Sequence, residues 1–240
     1  MQKPEIRRLP RMLVAGRDQF GYLTDSFQHV LHLRDSFAIT YLGWSSGLPD
    51  IELERVEVKH FSGKRNSFSR YVAFIFRLLS EIRSGNFDLV YLSYFAGAGV
   101  VPLLAPRTTC ALDIRSGYVR RSNVLRRVFN TLILLDSMMF RHVTIITDSL
   151  RRVLHISAKK SHVLPLGATV PEVAAKSFES MQLLYIGTLE SRHIDRTVEG
   201  FARFFRECGK DTRCAYDIVG FGRPHDEDEL RAAIAGCGCA

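Results

Sequence analysis

The sequence has little cysteine, a single tryptophan and no long apolar run. Its five cysteines, Cys110, Cys208, Cys214, Cys237 and Cys239, show no paired spacing in 240 residues. That excludes a disulfide framework and fits a reducing compartment. Cys237-Gly-Cys239 has no matching His or Cys pair, so no zinc site is expected. The most apolar stretches, residues 131–140 and 96–106, fall well short of the roughly 20 residues that span a bilayer. The amino terminus, MQKPEIRRLPRM, is basic but has no apolar signal core, so export is not expected. Acidic residues are in deficit, 25 against 33 Lys and Arg, giving a net charge of +8. Such a surplus favours anionic partners: nucleotide phosphates, nucleic acid or anionic lipid. No basic patch interleaved with aromatics is present, which argues against nucleic acid.

What is present is alternation. Residues 12–16 (MLVAG), 37–42 (FAITYL), 56–60, 88–94 (DLVYLSY), 110–114, 143–147 (VTIIT) and 163–166 read as strands. Between them, a helix-like segment runs to about residue 34. Tyr71, Val72, Phe74, Ile75, Leu78, Leu79 and Ile82 mark a second helix that Gly85 is placed to end. A long helix follows over 123–140, with Val124, Val128, Leu132, Leu135 and Met139 on one face. The simpler expectation is a core helix with a solvated basic face; the other puts Arg120, Arg121, Arg126 and Arg127 on lipid headgroups. Asp148 or Ser149 is expected to cap the short helix after residue 147. Strands alternating with helices predict an α/β domain with a parallel sheet over residues 1–171.

Residues 172–181 (EVAAKSFESM) read as a linker, and a fresh unit starts at 182. QLLYIG (182–187) is a strand. Ile194, Val198, Phe201, Phe205 and Cys208 line a helix face, closed by Gly209. AYDIVG (215–220) is a second strand, and Asp226 with Glu229 is a candidate capping box for a last helix. Two strands and two helices in about 60 residues bury little apolar surface and leave sheet edges unpaired. The second domain, over 182–240, is therefore expected to be incomplete.

Four turns that follow strands carry candidate chemistry, because ligands of open α/β sheets bind beyond the strands' carboxyl ends. After the first strand, Gly21 would let a phosphate or sugar approach the backbone. After the fifth, Asp113 is the candidate catalytic carboxylate, positioned to accept from sugar hydroxyls, and Arg115 is a cation for a phosphate; an Asp113–Arg115 pair internal to the domain is the alternative. In GTLESRHI (187–194), Gly187, Thr188, Arg192 and His193 converge on a helix amino terminus, good chemistry for a diphosphate. Gly220 and Gly222 follow the next strand, where absent side chains would admit a nucleotide.

Together, LPLGATVP, LLYIGTLESRHIDRTVEGFARF and YDIVGFG followed by DEDELRAAI resemble glycosyltransferase family 4. VTIITDSLRRVL and DLVYLSY fit the same pattern earlier in the chain. The resemblance implies the two-Rossmann GT-B fold and sugar transfer with retention. It implies a nucleotide-sugar donor held by the second domain through Gly187, Thr188, Arg192, His193, Gly220 and Gly222. The acceptor, a cell-envelope glycan or lipid-linked saccharide, would lie against the first domain near Gly21 and Arg115. No metal or other cofactor is implied, and the cationic surface suits a cytoplasmic protein touching an anionic membrane. The family's usual arginine after the loop glycine is Thr188 here, and its lysine is His193, leaving Arg192 to hold the diphosphate. The family's paired glutamates have no counterpart before residue 240. A chain truncated in its second domain, with little or no turnover, is the competing expectation.

Overall fold

The structure is a computed structural model that describes residues 8–62, 68–118, 122–167, 180–190, 192–208 and 213–238. The chain divides into two compact units, Met1–Ala168 and Thr169–Ala240. In the first, seven strands form one all-parallel sheet: β1 (Arg11–Ala15), β2 (Ala38–Trp44), β3 (Val56–Phe61), β4 (Leu89–Ser93), β5 (Thr109–Ile114), β6 (His142–Ile145) and β7 (Ser161–Val163). Their order is β3-β2-β1-β4-β5-β6-β7. Among the described residues, five helices accompany them: α1 (Thr24–Leu33), α2 (Phe68–Gly85), α3 (Val100–Leu104), α4 (Asn123–Met138) and α5 (Asp148–Val153).

The central strands are continuous apolar runs because both of their faces are covered. Leu13, Ala15, Leu42, Leu92, Leu112 and Ile145 turn to one face and pack with Phe74 and Leu78 of α2, Val101 of α3 and Ile133 of α4. Met12, Val14, Ile39 and Tyr41 turn to the other and pack with Phe20 and with Val30 of α1. From β1 the chain builds outward through β2 to β3, then crosses back to lay β4 on the opposite side of β1. The strand order reverses at β1 and β4, and open sheets hold ligands beyond the strands' carboxyl ends at such a point.

The second unit pairs β8 (Ser180–Thr188) with β9 (Arg213–Phe221) in parallel, alongside α6 (Ile194–Cys208) and α7 (Pro224–Gly236). Leu189, Ile194, Val198 and Leu230 form its small core, with Tyr185, Tyr216 and Ile218 packed against it. Leu184, Ile186, Val219 and Phe221 are exposed.

Several local expectations are corrected. The apolar stripe of α4 faces out: Val124, Val128, Leu132, Leu135 and Met139 are all exposed, while Ile133 and Ser137 face the sheet. Spacing fixes which residues share a face, not which way that face turns. Arg120 and Arg121 lie outside the described residues. Thr147, not Asp148 or Ser149, caps α5, its hydroxyl accepting from Leu150 N at 3.1 Å. Asp148 instead pairs with Arg151 and Arg152. The last strand of the sheet lies earlier than expected, at Ser161–Val163. Asp226 is not the first residue of its cap: it sits inside α7 and accepts the Arg223 N–H at 3.3 Å, while Glu229 meets His225. Of the linker residues, 172–179 lie outside the described set, as does Gly209; Ser180 and Met181 belong to β8.

The short helix α3 is held by α4. Asp136 accepts from Gly97 N at 3.0 Å and Gly99 N at 3.1 Å. Removing the carboxylate orphans both donors, and Asp136→Ala is expected to lower stability by about 1–3 kcal/mol. A urea unfolding curve of the variant beside the parent protein measures it.

Candidate functional site

Asp113 and Arg115 stand at the carboxyl end of β5. Asp113 is buried, and both of its carboxylate oxygens are engaged. Oδ2 accepts from Arg115 Nε at 2.6 Å, and Oδ1 accepts from Thr144 Oγ1 on β6 at 2.5 Å. The Thr144 hydroxyl lies 3.1 Å from the Tyr91 hydroxyl of β4. Arg115 also donates to His29 Nε2 of α1 at 2.6 Å and to the Leu164 carbonyl, just past β7, at 3.3 Å. The expected catalytic carboxylate is thus the anchor of an internal ion pair that ties the ends of β4, β5, β6 and β7 to α1. Arg115, expected to meet a ligand phosphate, is already matched by Asp113.

Burial depresses the His29 imidazole below its ordinary value, and the Arg115 charge depresses it further. The neutral ring is the form that can accept from Arg115. Unfolded, His29 takes up its proton at a higher pH, near ~6.5. Its contribution to stability is therefore fully present above that value and falls as pH drops from there through the depressed folded value. The unfolding midpoint in urea should decline over that window, and His29→Gln should flatten the decline. Burial, with the Asp113 charge, raises the Tyr91 hydroxyl well above its ordinary value, so it is neutral throughout.

At the carboxyl end of β1, Gly21 does not offer an open face. Its φ is +88°, which favours glycine, and the space a Cβ would fill is occupied by Ile51. Two other arginines line this edge, and the sequence reading missed both. Arg17 NH1 donates to the Tyr71 hydroxyl at 2.5 Å, with its guanidinium 5.6 Å from that ring's centre. Arg70, on α2, stacks 4.1 Å from the Trp44 ring and donates to the Ser45 carbonyl at 3.1 Å. Arg17 stands just past the first strand, the same kind of position that selected Arg115; Arg70 had no comparable signal. Gln19, also missed, shapes the loop after β2. Its amide donates to the Leu48 carbonyl at 2.6 Å and accepts from Ser46 N at 2.9 Å.

In the second unit, the glycines are set by packing. Gly187 and Gly220 lie opposite each other on β8 and β9. A Cβ on Gly220 would overlap the Gly187 carbonyl oxygen, and one on Gly222 would stand 2.9 Å from Leu189 Cβ. Neither position is an open approach for a nucleotide. The Thr188 side chain is exposed, and its carbonyl accepts from the Tyr185 hydroxyl at 2.7 Å. Arg192 and His193 are exposed just ahead of α6, and the Arg196 N–H bonds back to the His193 carbonyl at 3.2 Å. Arg223 is neutralised by Glu190. Arg192 has no carboxylate within ion-pair range among the described residues. Arg196, on the first turn of α6, is likewise exposed with no carboxylate in range among the described residues, so both can meet an anion at the α6 amino terminus.

Asp226-Glu227-Asp228 has Asp-x-Asp spacing but sits on α7. There Asp226 bonds the Arg223 N–H and Glu227 accepts from Gly222 N at 3.1 Å. Among the described residues, no group of three or more metal-ligating side chains converges. Burial pushes the Cys110 thiol up to about 11, so it is no nucleophile.

No family model matches the chain, and no curated protein matches it by sequence. Solved structures do. An apo lipopolysaccharide outer core galactosyltransferase, WaaB, superposes with a TM-score of 0.64 at 13% identity, over 95% of this chain and 65% of that one. A trehalose-phosphate synthase (UDP-forming) from Burkholderia vietnamiensis gives 0.65 at 11% identity, over 95% and 70%. Anabaena HepE, in complex with UDP and glucose, gives 0.63 at 14%, over 95% and 67%. The chain thus spans about two thirds of the length of the proteins it matches. At these identities the likeness establishes the fold: the chain is built as the Rossmann-like α/β units of GT-B glycosyltransferases are built.

Proposed function

We propose that this chain is a glycosyltransferase that takes a sugar from a nucleotide-sugar donor and passes it, with retention, to a cell-envelope glycan or lipid-linked acceptor at the cytoplasmic side of a membrane. The observation that carries the reading is the loop before α6, where Arg192 is exposed and has no carboxylate within ion-pair range among the described residues. Unsatisfied N–H groups and a cation at that point suit a nucleoside diphosphate. Its departure as the anomeric bond breaks would be assisted electrostatically, without a metal. UDP accompanies one of the structurally similar proteins, which favours the same class of donor here. In the first unit, the exposed Arg17 at the sheet's carboxyl edge suits an anionic or hydroxyl-rich acceptor better than the occupied Asp113 does. A second reading, a chain that keeps the fold without turnover, is favoured by the exposed apolar residues of β8 and β9 in a unit with so small a core.

Calorimetric titration with UDP, then with UDP and GDP sugars, tests the proposal. Micromolar affinity requires about 8 kcal/mol, whereas one exposed charge contact contributes about 0.3–1 kcal/mol. Arg192→Gln is therefore expected to weaken UDP binding by about two- to fivefold. Absence of any nucleotide binding by the parent chain would sink the donor assignment. Binding without release of nucleoside diphosphate would select the second reading.

A further inference from the structure

A helix lying on a sheet ordinarily turns polar residues to solvent. α6 does so: Arg196, Glu199, Arg203 and Glu207 are exposed, the last two paired at 2.9 Å. α4 does the reverse. Ser122 caps its start, and Ile133 and Ser137 face the sheet. On the outer side Val124 is 71% exposed, Leu135 52% and Met138 59%, and Val128, Leu132 and Met139 are exposed with them. These residues recur at spacings of three and four, so they form one stripe along a helix of ~24 Å. Thr131 interrupts the stripe only nominally, since its hydroxyl is turned back onto the Arg127 carbonyl at 2.9 Å. Leu103 and Leu104 of α3, the helix tethered through Asp136, add further exposed apolar surface.

The charges around the stripe have one sign. Arg126 and Arg127 lie on α4, Arg107 follows α3 and Arg141 follows α4; all are exposed. None has a carboxylate within ion-pair range among the described residues. From residue 89 to residue 147 the only acidic residues are Asp113 and Asp136. The first is buried, and the second is engaged by Gly97 and Gly99. The next acidic residue, Asp148 on α5, is paired with Arg151 and Arg152.

We infer that the outer face of α4, with α3 beside it, docks flat on an anionic lipid bilayer. The apolar side chains enter the boundary between headgroups and acyl chains, and the four arginines meet lipid phosphates. A second copy of the chain is a poorer occupant, because a symmetric contact through this face brings Arg126 and Arg127 toward their own counterparts. The inference rests on the membrane-side part of the function proposed above and names the surface that would serve it. It does not depend on donor binding.

Cosedimentation with vesicles tests it, using phosphatidylcholine alone and phosphatidylcholine mixed with phosphatidylglycerol, with no nucleotide present. The parent chain is expected to partition to the mixed vesicles roughly tenfold more strongly than to the neutral ones. Val128→Glu/Leu135→Glu, at exposed positions that leave the core intact, should lower that partition by roughly tenfold or more while keeping its thermal melt. Arg126→Gln/Arg127→Gln should remove most of the preference for anionic vesicles. Absence of partition by the parent, or equal partition by the Glu variant, overturns the inference. So does a concentration-dependent dimer in sedimentation equilibrium that the Glu variant abolishes, which would give the face to a second copy. UDP titration of the same proteins reports separately on the donor site, so either reading can fail without the other.

Discussion

Asp113→Ala is expected to destabilise the protein by about 3–5 kcal/mol, the cost of leaving a buried charge without its partner. The Arg115 side chain is only 17% exposed and gives its Nε–H to Asp113 at 2.6 Å. With the carboxylate gone, Arg115 keeps the His29 ring, the Leu164 carbonyl and its contact with the Tyr91 hydroxyl, none of which carries a charge to match it, and Thr144 loses the Asp113 carboxylate. Arg115→Ala should cost a similar amount, since it strands Asp113 at 4% exposure. The double variant should cost less than the sum of the two, by about 1–3 kcal/mol, as groups in one network do. Urea unfolding of the three variants closes the cycle. Additive losses, or an Asp113→Ala protein of parental stability that has lost only turnover, would return Asp113 to a catalytic role.

Gly220→Ala should disrupt the second unit. A methyl group there overlaps the Gly187 carbonyl oxygen, part of a backbone that cannot rotate away as a side chain can. β8 and β9 would have to separate where they are in register, at a cost of about 3 kcal/mol, the upper end of overpacking. Gly200→Ala is the control. It lies within α6 with nothing near the added carbon, and should stabilise the helix by about 0.5–1 kcal/mol. Hydrogen exchange followed by mass spectrometry separates the two: amides of β8 and β9 should exchange faster in the first variant and no faster in the second. Parental protection in Gly220→Ala would mean that the strands are not packed as described.

Most strands were legible because a strand covered on both faces must be apolar along its length. MLVAG and DLVYLSY carry that signature; β1 covers the first but for its glycine and starts one residue earlier, and β4 lies within the second. β7 was misplaced because a three-residue edge strand, half-exposed or exposed throughout, has no such requirement. α3 was not foreseen, since five residues containing Pro102 show no helical period. The stripe of α4 was found and turned the wrong way; periodicity reports a face, and only packing reports its direction. In the candidate site, an Asp113–Arg115 pair was among the alternatives, being two residues apart. Thr144 and His29 complete that network from 31 and 86 residues away, and nothing local announces them. The glycines were read as openings because sequence shows a missing side chain but not what fills its place. At Gly21 that is Ile51, and at Gly220 it is the facing strand.

The reversal of strand order at β1 also sets a timetable for the growing chain. β1 lies between β2, which follows it closely, and β4, whose neighbouring Asp88 accepts the Arg11 N–H across 77 residues. On a ribosome adding about 5–20 residues per second, that interval lasts roughly 4–15 s. Throughout it, this interior strand has one row of peptide groups bare, and Leu13 and Ala15 await the helices that will cover them. β1, an interior strand, is therefore the first part of the sheet to be made and waits on a distant segment for its second neighbour. During synthesis it is the segment most exposed to capture by a holding chaperone or by a neighbouring nascent chain.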